Sequence, residues 1–303
     1  MLLKDTLLYL AQNEHLRNFV IHNRATRRVS RRFVAGEVLE DAAQATRVLN
    51  QSGMAVALDF LGENVSDERE ARIATQNYIA ALELIKKTGI HANISIKLTA
   101  LGLDIARDLC ESNVSHILEI ADQYGIFVCI DMESSAYTEQ TVAITLAMRK
   151  QFENIGTVIQ SYLYRSKQDI EQLIEQGVRV RLVKGAYKEP PSIAYQHKSD
   201  VDNNYVELMK MLLAHGNFSA IATHDTAIID EVNAFVRDNG VSQSAFEFQM
   251  LYGIRRDLQE KLVSQGYNMR VYVPYGSQWY PYLMRRMAER PANLVFVMRG
   301  ALR

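Results

Sequence analysis

Apolar residues in this chain gather into short, mostly continuous runs, and segments of helical character separate them. The runs read MAVALDF (from Met54), NISIKL (from Asn93), IFVCIDM (from Ile126), TVIQSYL (from Thr157), VRVRLVKG (from Val178), SAIATH (from Ser219), AFEFQML (from Ala245) and MRVYVPYG (from Met269). Runs that are continuous rather than alternating suit strands buried on both faces. The intervening helices carry punctuation: Ser66-Asp67-Glu68 opens one with residues suited to a helix N-terminus, and Gly89 closes it. Spacing from run to run is that of βα units and too irregular for a solenoid. Eight alternating units predict an α/β fold of one kind, a closed parallel (βα)8 barrel of the TIM type, with its site at the C-terminal ends of the strands.

Most of the runs close on a polar group for which a buried strand has no structural use. Lys97, Asp131, Gln160, Arg181 with Lys184, His224 and Tyr272 stand at those ends. Residues 1–50 read as a helical arm with a break near Gly36 and Glu37, and residues 51–303 as the barrel. Five prolines and no Gly/Ser-rich linker give no sign of a second autonomous domain.

Composition changes this picture little. At 303 residues, 48% hydrophobic and 23% charged, the chain reads as a soluble globular protein, and a net charge of −1 gives no bulk field for nucleic acid. Arg27, Arg28, Arg31 and Arg32 read as a solvated helix face. The two cysteines, Cys110 and Cys129, form neither a metal spacing nor a disulfide framework, and the cytoplasm is the natural setting. The apolar patch at Leu7–Leu10 is too short for a signal peptide or a span.

Chemistry is concentrated in a few blocks. Arg285 and Arg286 follow the aromatics Tyr272, Tyr275, Trp279 and Tyr282, and two adjacent guanidinium groups make a fork for a carboxylate or phosphate. Arg181 lies in an apolar strand, where a charge needs a partner or a polar cavity. Lys97 and Asp131, on neighbouring strand ends, read either as a pair orienting an ammonium towards substrate or as an inert salt bridge. Gln160 suits the edge of a heterocycle or a backbone cap. No second histidine stands at ligand spacing to His224, so no metal site is read. Neither a GxGxxG element nor a P-loop is present, and no Ser or Cys stands in a nucleophile elbow. Lysines at strand ends leave a Schiff-base aldolase barrel as a competing reading, and an idle flavin- or amino-acid-binding barrel as another.

Taken together, the blocks RRFVAGE (Arg31–Glu37), FLGE (Phe60–Glu63), ISIKLTALG (Ile94–Gly102), IDME (Ile130–Glu133), VIQSY (Val158–Tyr162), RLVKGAY (Arg181–Tyr187), ATHD (Ala222–Asp225) and the closing VYVPYG…PYLMRRMAER resemble the proline dehydrogenase family, in its single-activity bacterial form. The resemblance implies a distorted barrel that oxidises L-proline to 1-pyrroline-5-carboxylate, by hydride transfer from ring C5 to N5 of FAD, with electrons passed to a membrane quinone. It implies Asp131 and Arg181 as essential active-site residues, with Arg181 near flavin N5. Arg285, Arg286 and Lys97 would hold the substrate carboxylate, and Tyr272, Tyr282, Tyr187 and Leu251 would wall the proline pocket. Met132, Gln160, Lys184, Gly185, Ala186, Thr223 and His224 would contact the flavin, and Glu63 would gate the site by pairing with Arg285. The end at Arg303 implies no DNA-binding or aldehyde dehydrogenase module, hence a separate pyrroline-5-carboxylate dehydrogenase downstream. Any contact with lipid would be peripheral.

Overall fold

The structure is a computed structural model that describes residues 30–289. The N-terminal apolar patch, Arg27 and Arg28 lie outside the described residues. Eight parallel strands form a closed barrel in chain order: β1 (Ala55–Phe60), β2 (Ala92–Ile96), β3 (Val128–Ile130), β4 (Ile155–Gln160), β5 (Arg179–Val183), β6 (Ser219–Ala222), β7 (Phe246–Leu251) and β8 (Met269–Tyr275). Every expected strand is present. Closure is made by β1 and β8, which pair from Ala55↔Arg270 to Phe60↔Tyr275. The strand expected from Ile126 shrinks to three residues, although the Asp131 N–H still donates to the Ile96 carbonyl at 2.8 Å.

The helices are α1 (Leu39–Gln51), α2 (Glu68–Thr88), α3 (Arg107–Tyr124), α4 (Ser135–Arg149), α5 (Ser166–Glu175), α6 (Lys198–His215), α7 (Thr226–Asn239), α8 (Arg256–Ser264) and α9 (Trp279–Glu289). Helix α2 shows why such segments fold here. Asp67 caps it by accepting from the Glu70 N–H at 2.9 Å, and Gly89 ends it at φ 65°. Its buried Ala71, Ala74, Tyr78, Ala81, Leu82 and Ile85 recur at three- and four-residue steps, one stripe facing the sheet.

Two helices depart from the regular repeat. Helix α1 precedes the first strand, yet it packs against β1 and β8, and its Ala42 and Ala43 belong to the main core. It thereby covers the closure seam from outside. Helix α9 follows β8 but does not return along the wall. Its Trp279, Tyr280, Leu283 and Met284 cluster with Phe33, Val34, Leu61 and Ile254. Leu61 and Ile254 lie just beyond the C-terminal ends of β1 and β7, so α9 lies over the mouth of the barrel. This is the distortion. The backbone before α1 fastens it: the Ala35 N–H donates to the Pro274 carbonyl at 2.9 Å and the Gly276 N–H to the Gly36 carbonyl at 3.0 Å.

Candidate active site

The mouth of the barrel holds a cavity of about 450 Å³. A smaller one, about 180 Å³, sits at the opposite end among residues that begin the strands, such as His91, Phe127, Arg179 and Arg270. Barrel chemistry belongs to the C-terminal end, so the larger cavity is the candidate.

At its floor four charges interlock. The Arg181 guanidinium donates to Asp131 Oδ1 at 2.8 Å and to Ser95 Oγ at 2.9 Å. The Tyr272 hydroxyl donates to Asp131 Oδ2 at 2.6 Å, and its ring lies under Arg181 at 5.3 Å. The Lys97 ammonium donates to Asp59 and stands 3.7 Å from Asp131. All four charged groups are buried, Lys97 and Arg181 to 6% exposure, Asp131 to 8% and Asp59 to 1%.

The expected Lys97–Asp131 pair is therefore only the looser half of the arrangement. Lys97 takes Asp59 as its close partner, and Asp131 takes Arg181. Asp59 carries much the same mark as the other strand-end groups, being the polar residue next to the end of MAVALDF.

Burial works against the charge of Lys97, but Asp59 and Asp131 outweigh it and hold the ammonium well above the ordinary lysine range. Burial, aided by Asp131, raises the Asp59 carboxyl to about 6 although Lys97 pulls it down. By formal charge the floor sets two cations against two carboxylates. Glu133, the last residue of IDME, also lines the cavity. Burial pushes its carboxyl up to about 7 against two opposing hydrogen bonds from Thr99.

The rim is built from later strand ends. Lys184 is bonded to Asp202 at 2.6 Å and Asp225 at 2.8 Å. Asp225 also caps α7, and its lysine partner Lys184 draws its carboxyl down to about 2. His224 Nε2 accepts from the Leu251 N–H at 2.9 Å, tying the ends of β6 and β7. Met132, Gln160, Gly185, Ala186, Tyr187, Thr223, Leu251, Tyr282 and Glu63 complete the lining with those already named. Every candidate from the sequence faces this one cavity except Arg285 and Arg286. Those two follow Tyr282 in α9, and their side chains lie outside the described residues. Gln249 on β7 was missed; nothing in AFEFQML marks it beyond being polar in an apolar run.

The chain is matched by the family model described as proline dehydrogenase over residues 42–299. The chain belongs to the proline dehydrogenase family. Proline dehydrogenase 1 of Bacillus subtilis (strain 168) is 42% identical over 302 residues, covering 100% of both chains. Proline dehydrogenase of Deinococcus radiodurans is 44% identical over 280 residues, 91% of this chain and 90% of the other. Among solved structures, proline utilization A (PutA) from Bdellovibrio bacteriovorus, inactivated by N-propargylglycine, superposes with a TM-score of 0.81 at 24% identity. It covers 93% of this chain, which spans 38% of that longer one, and it shows the barrel fold. Family members oxidise proline in its catabolism with the help of a flavin, and this chain is an oxidoreductase of that kind.

The cavity fits such a cofactor. Gln160 Oε1 and Arg181 Nε are buried without a hydrogen-bond partner among the described residues, and both residues line it. An orphaned acceptor and an orphaned donor suit the polar edge of a flavin ring. Gly185, at φ 114°, follows Lys184 where a Cβ would strike the Tyr162 ring at 2.5 Å, so the backbone there stays bare.

Proposed function

We propose that this cavity oxidises L-proline to 1-pyrroline-5-carboxylate with non-covalent FAD, and that the electrons pass to a quinone. The observation that carries the proposal is the interlocked Asp59–Lys97–Asp131–Arg181 floor beneath an aromatic wall. Met132, Gln160, Arg181, Lys184, Gly185, Ala186, Thr223 and His224 would hold the cofactor, which when bound supplies the acceptor for the hydride leaving C5 of the ring. Asp131 fixes Arg181 and Tyr272 in place. Because the floor is charge-balanced, a substrate carboxylate needs further cations, and Arg285 with Arg286 would supply them, Lys97 supporting the same end. Tyr187, Tyr272, Tyr282 and Leu251 would exclude water and select a small apolar ring.

An absorbance spectrum of purified protein before and after anaerobic L-proline tests the reading. A bound flavin band should appear, bleach with proline, and yield FAD on denaturation. A band untouched by proline removes the substrate, and released FMN removes FAD.

The aldolase reading fares worse on one observation. A Schiff-base lysine needs a neutral amine, whereas Lys97 is held as an ammonium by two carboxylates. Lys184 is likewise engaged by Asp202 and Asp225.

Among the described residues no helix is long and apolar enough to cross a membrane. We place the enzyme in the cytoplasm, meeting its quinone peripherally at the membrane and leaving its product to a separate pyrroline-5-carboxylate dehydrogenase.

Glu63 is half-buried at the cavity, in the β1–α2 loop on the face that α9 covers. Pairing of Glu63 with Arg285 would close the site during reduction and open it for product release. An exposed ion pair is worth only about 0–1 kcal/mol, so its effect should be kinetic. Glu63→Ala should slow flavin reduction by proline in stopped-flow traces while the melting temperature stays nearly unchanged. Wild-type reduction kinetics across the full proline range would remove the gate.

A further inference from the structure

The β1–α2 loop that carries Glu63 is fastened to the next two strand ends by a short chain of hydrogen bonds. The Asn64 N–H donates to Thr99 Oγ1 at 3.3 Å, and the Thr99 hydroxyl lies 2.6 Å from Glu133 Oε1. The Thr99 N–H donates to the other carboxylate oxygen, Glu133 Oε2, at 3.1 Å. Asn64 stands just beyond β1, Thr99 just beyond β2 and Glu133 just beyond β3, so the chain runs across three successive βα loops at the cavity rim.

Chemistry fixes the direction of this chain. The Asn64 and Thr99 N–H groups can only donate, and with Glu133 ionised its carboxylate can only accept, so in that form the single hydroxyl proton of Thr99 points to Glu133. Its lone pairs are then left for Asn64. Thr99 is fully buried and Glu133 is 5% exposed, so the pair forms a rigid anchor. Asn64, by contrast, is exposed and sits at φ 54°, in the left-handed region that asparagine tolerates better than most residues. That backbone conformation is what turns its N–H towards Thr99 directly after Glu63.

We infer that Glu133 and Thr99 are positioning residues that dock the Glu63 loop on the rim of the active site. This inference deepens the gate reading and rests on it for its kinetic consequence, though not for the docking itself. Glu133 lines the cavity, but its two oxygens are engaged by Thr99, so its part in turnover is exerted through the loop.

The test uses the flavin-loaded enzyme with Thr99→Val, Thr99→Ser and Glu133→Gln. Valine matches threonine in shape and removes only the hydroxyl. Serine restores the hydroxyl, and glutamine keeps an oxygen for the Thr99 N–H but sets an amide donor in place of the acceptor for the Thr99 hydroxyl. Hydrogen exchange in the segment 61–67 should quicken by about tenfold in Thr99→Val, the size of one lost hydrogen bond, and return to the wild-type rate in Thr99→Ser. Glu133→Gln should fall between wild type and Thr99→Val.

Flavin reduction by proline should slow in Thr99→Val, and the double variant Glu63→Ala/Thr99→Val should be no slower than Glu63→Ala alone. That non-additivity is the mark of two residues acting through one loop, which a general loss of stability would not produce. Unchanged exchange in 61–67 for Thr99→Val overturns the docking chain, whatever the kinetics. Quickened exchange with normal reduction in Glu63→Ala upholds the docking and overturns the gate.

Discussion

Replacing Asp131 by alanine should give the largest loss of any single substitution in this protein, in stability and in turnover together. Its carboxylate is the shared acceptor of the Arg181 guanidinium and the Tyr272 hydroxyl, and it stands 3.7 Å from the Lys97 ammonium. Removing one partner of a buried pair strands the other, at a cost of about 3–5 kcal/mol. That is a large share of the roughly 5–15 kcal/mol by which domains are stable. Arg181 would retain Ser95 but no close carboxylate, and Tyr272 would lose its acceptor. Thermal or denaturant unfolding of Asp131→Ala, with flavin content measured alongside, checks the energetic claim. A loss below about 1 kcal/mol would contradict it. Should the alanine variant not accumulate folded, Asp131→Asn keeps the shape and an acceptor for Tyr272 while removing the charge. That variant should fold, retain flavin and lose most of its kcat. Near wild-type turnover in Asp131→Asn would show that Asp131 is structural only.

The second large effect is expected at the arginine pair. The floor carries Lys97 and Arg181 against Asp59 and Asp131, so it has no net positive charge left for a substrate carboxylate. Arg285 and Arg286 follow directly from Tyr282, which lines the cavity, on the helix that lies over it. Arg285→Met or Arg286→Met should therefore remove a charge-assisted contact worth about 1.5–3 kcal/mol, or roughly tenfold to a hundredfold in kcat/KM for proline. The loss should appear mainly as a raised KM, with flavin content and melting temperature little changed. A methionine variant that keeps the wild-type kcat/KM would place the carboxylate contact elsewhere.

Much of the fold and site could be read along the chain, and particular residues show where reading stopped. The eight apolar runs mark the eight strands because burial on both faces leaves a local signature within each run. Lys97, Asp131, Arg181 and Tyr272 stood out because each is a polar residue at the end of such a run. Asp59 carries a weaker form of the mark, because Phe60 follows it in the run. Glu133 and Thr99 were less accessible, since their importance lies in bonds to each other and to Asn64 across three loops. Gln249 differs from an ordinary strand polar residue only by facing the barrel axis.

The sequence by itself determined the number and order of strands, the helix ends at Asp67 and Gly89, and most of the polar side chains that converge at the mouth. These depend on short-range periodicity, capping and the rule that parallel barrels keep their C-terminal strand ends together. Only the tertiary structure decided that Lys97 pairs most closely with Asp59 while Asp131 takes Arg181. It alone placed α1 on the closure seam and α9 over the mouth. The reason is physical: partners far apart in the chain are chosen by strand register and by closure of β8 on β1, which bring several alternative partners within reach. Coulomb attraction then favours the geometry with the least distance and the best desolvated fit, and local pattern does not encode that distance.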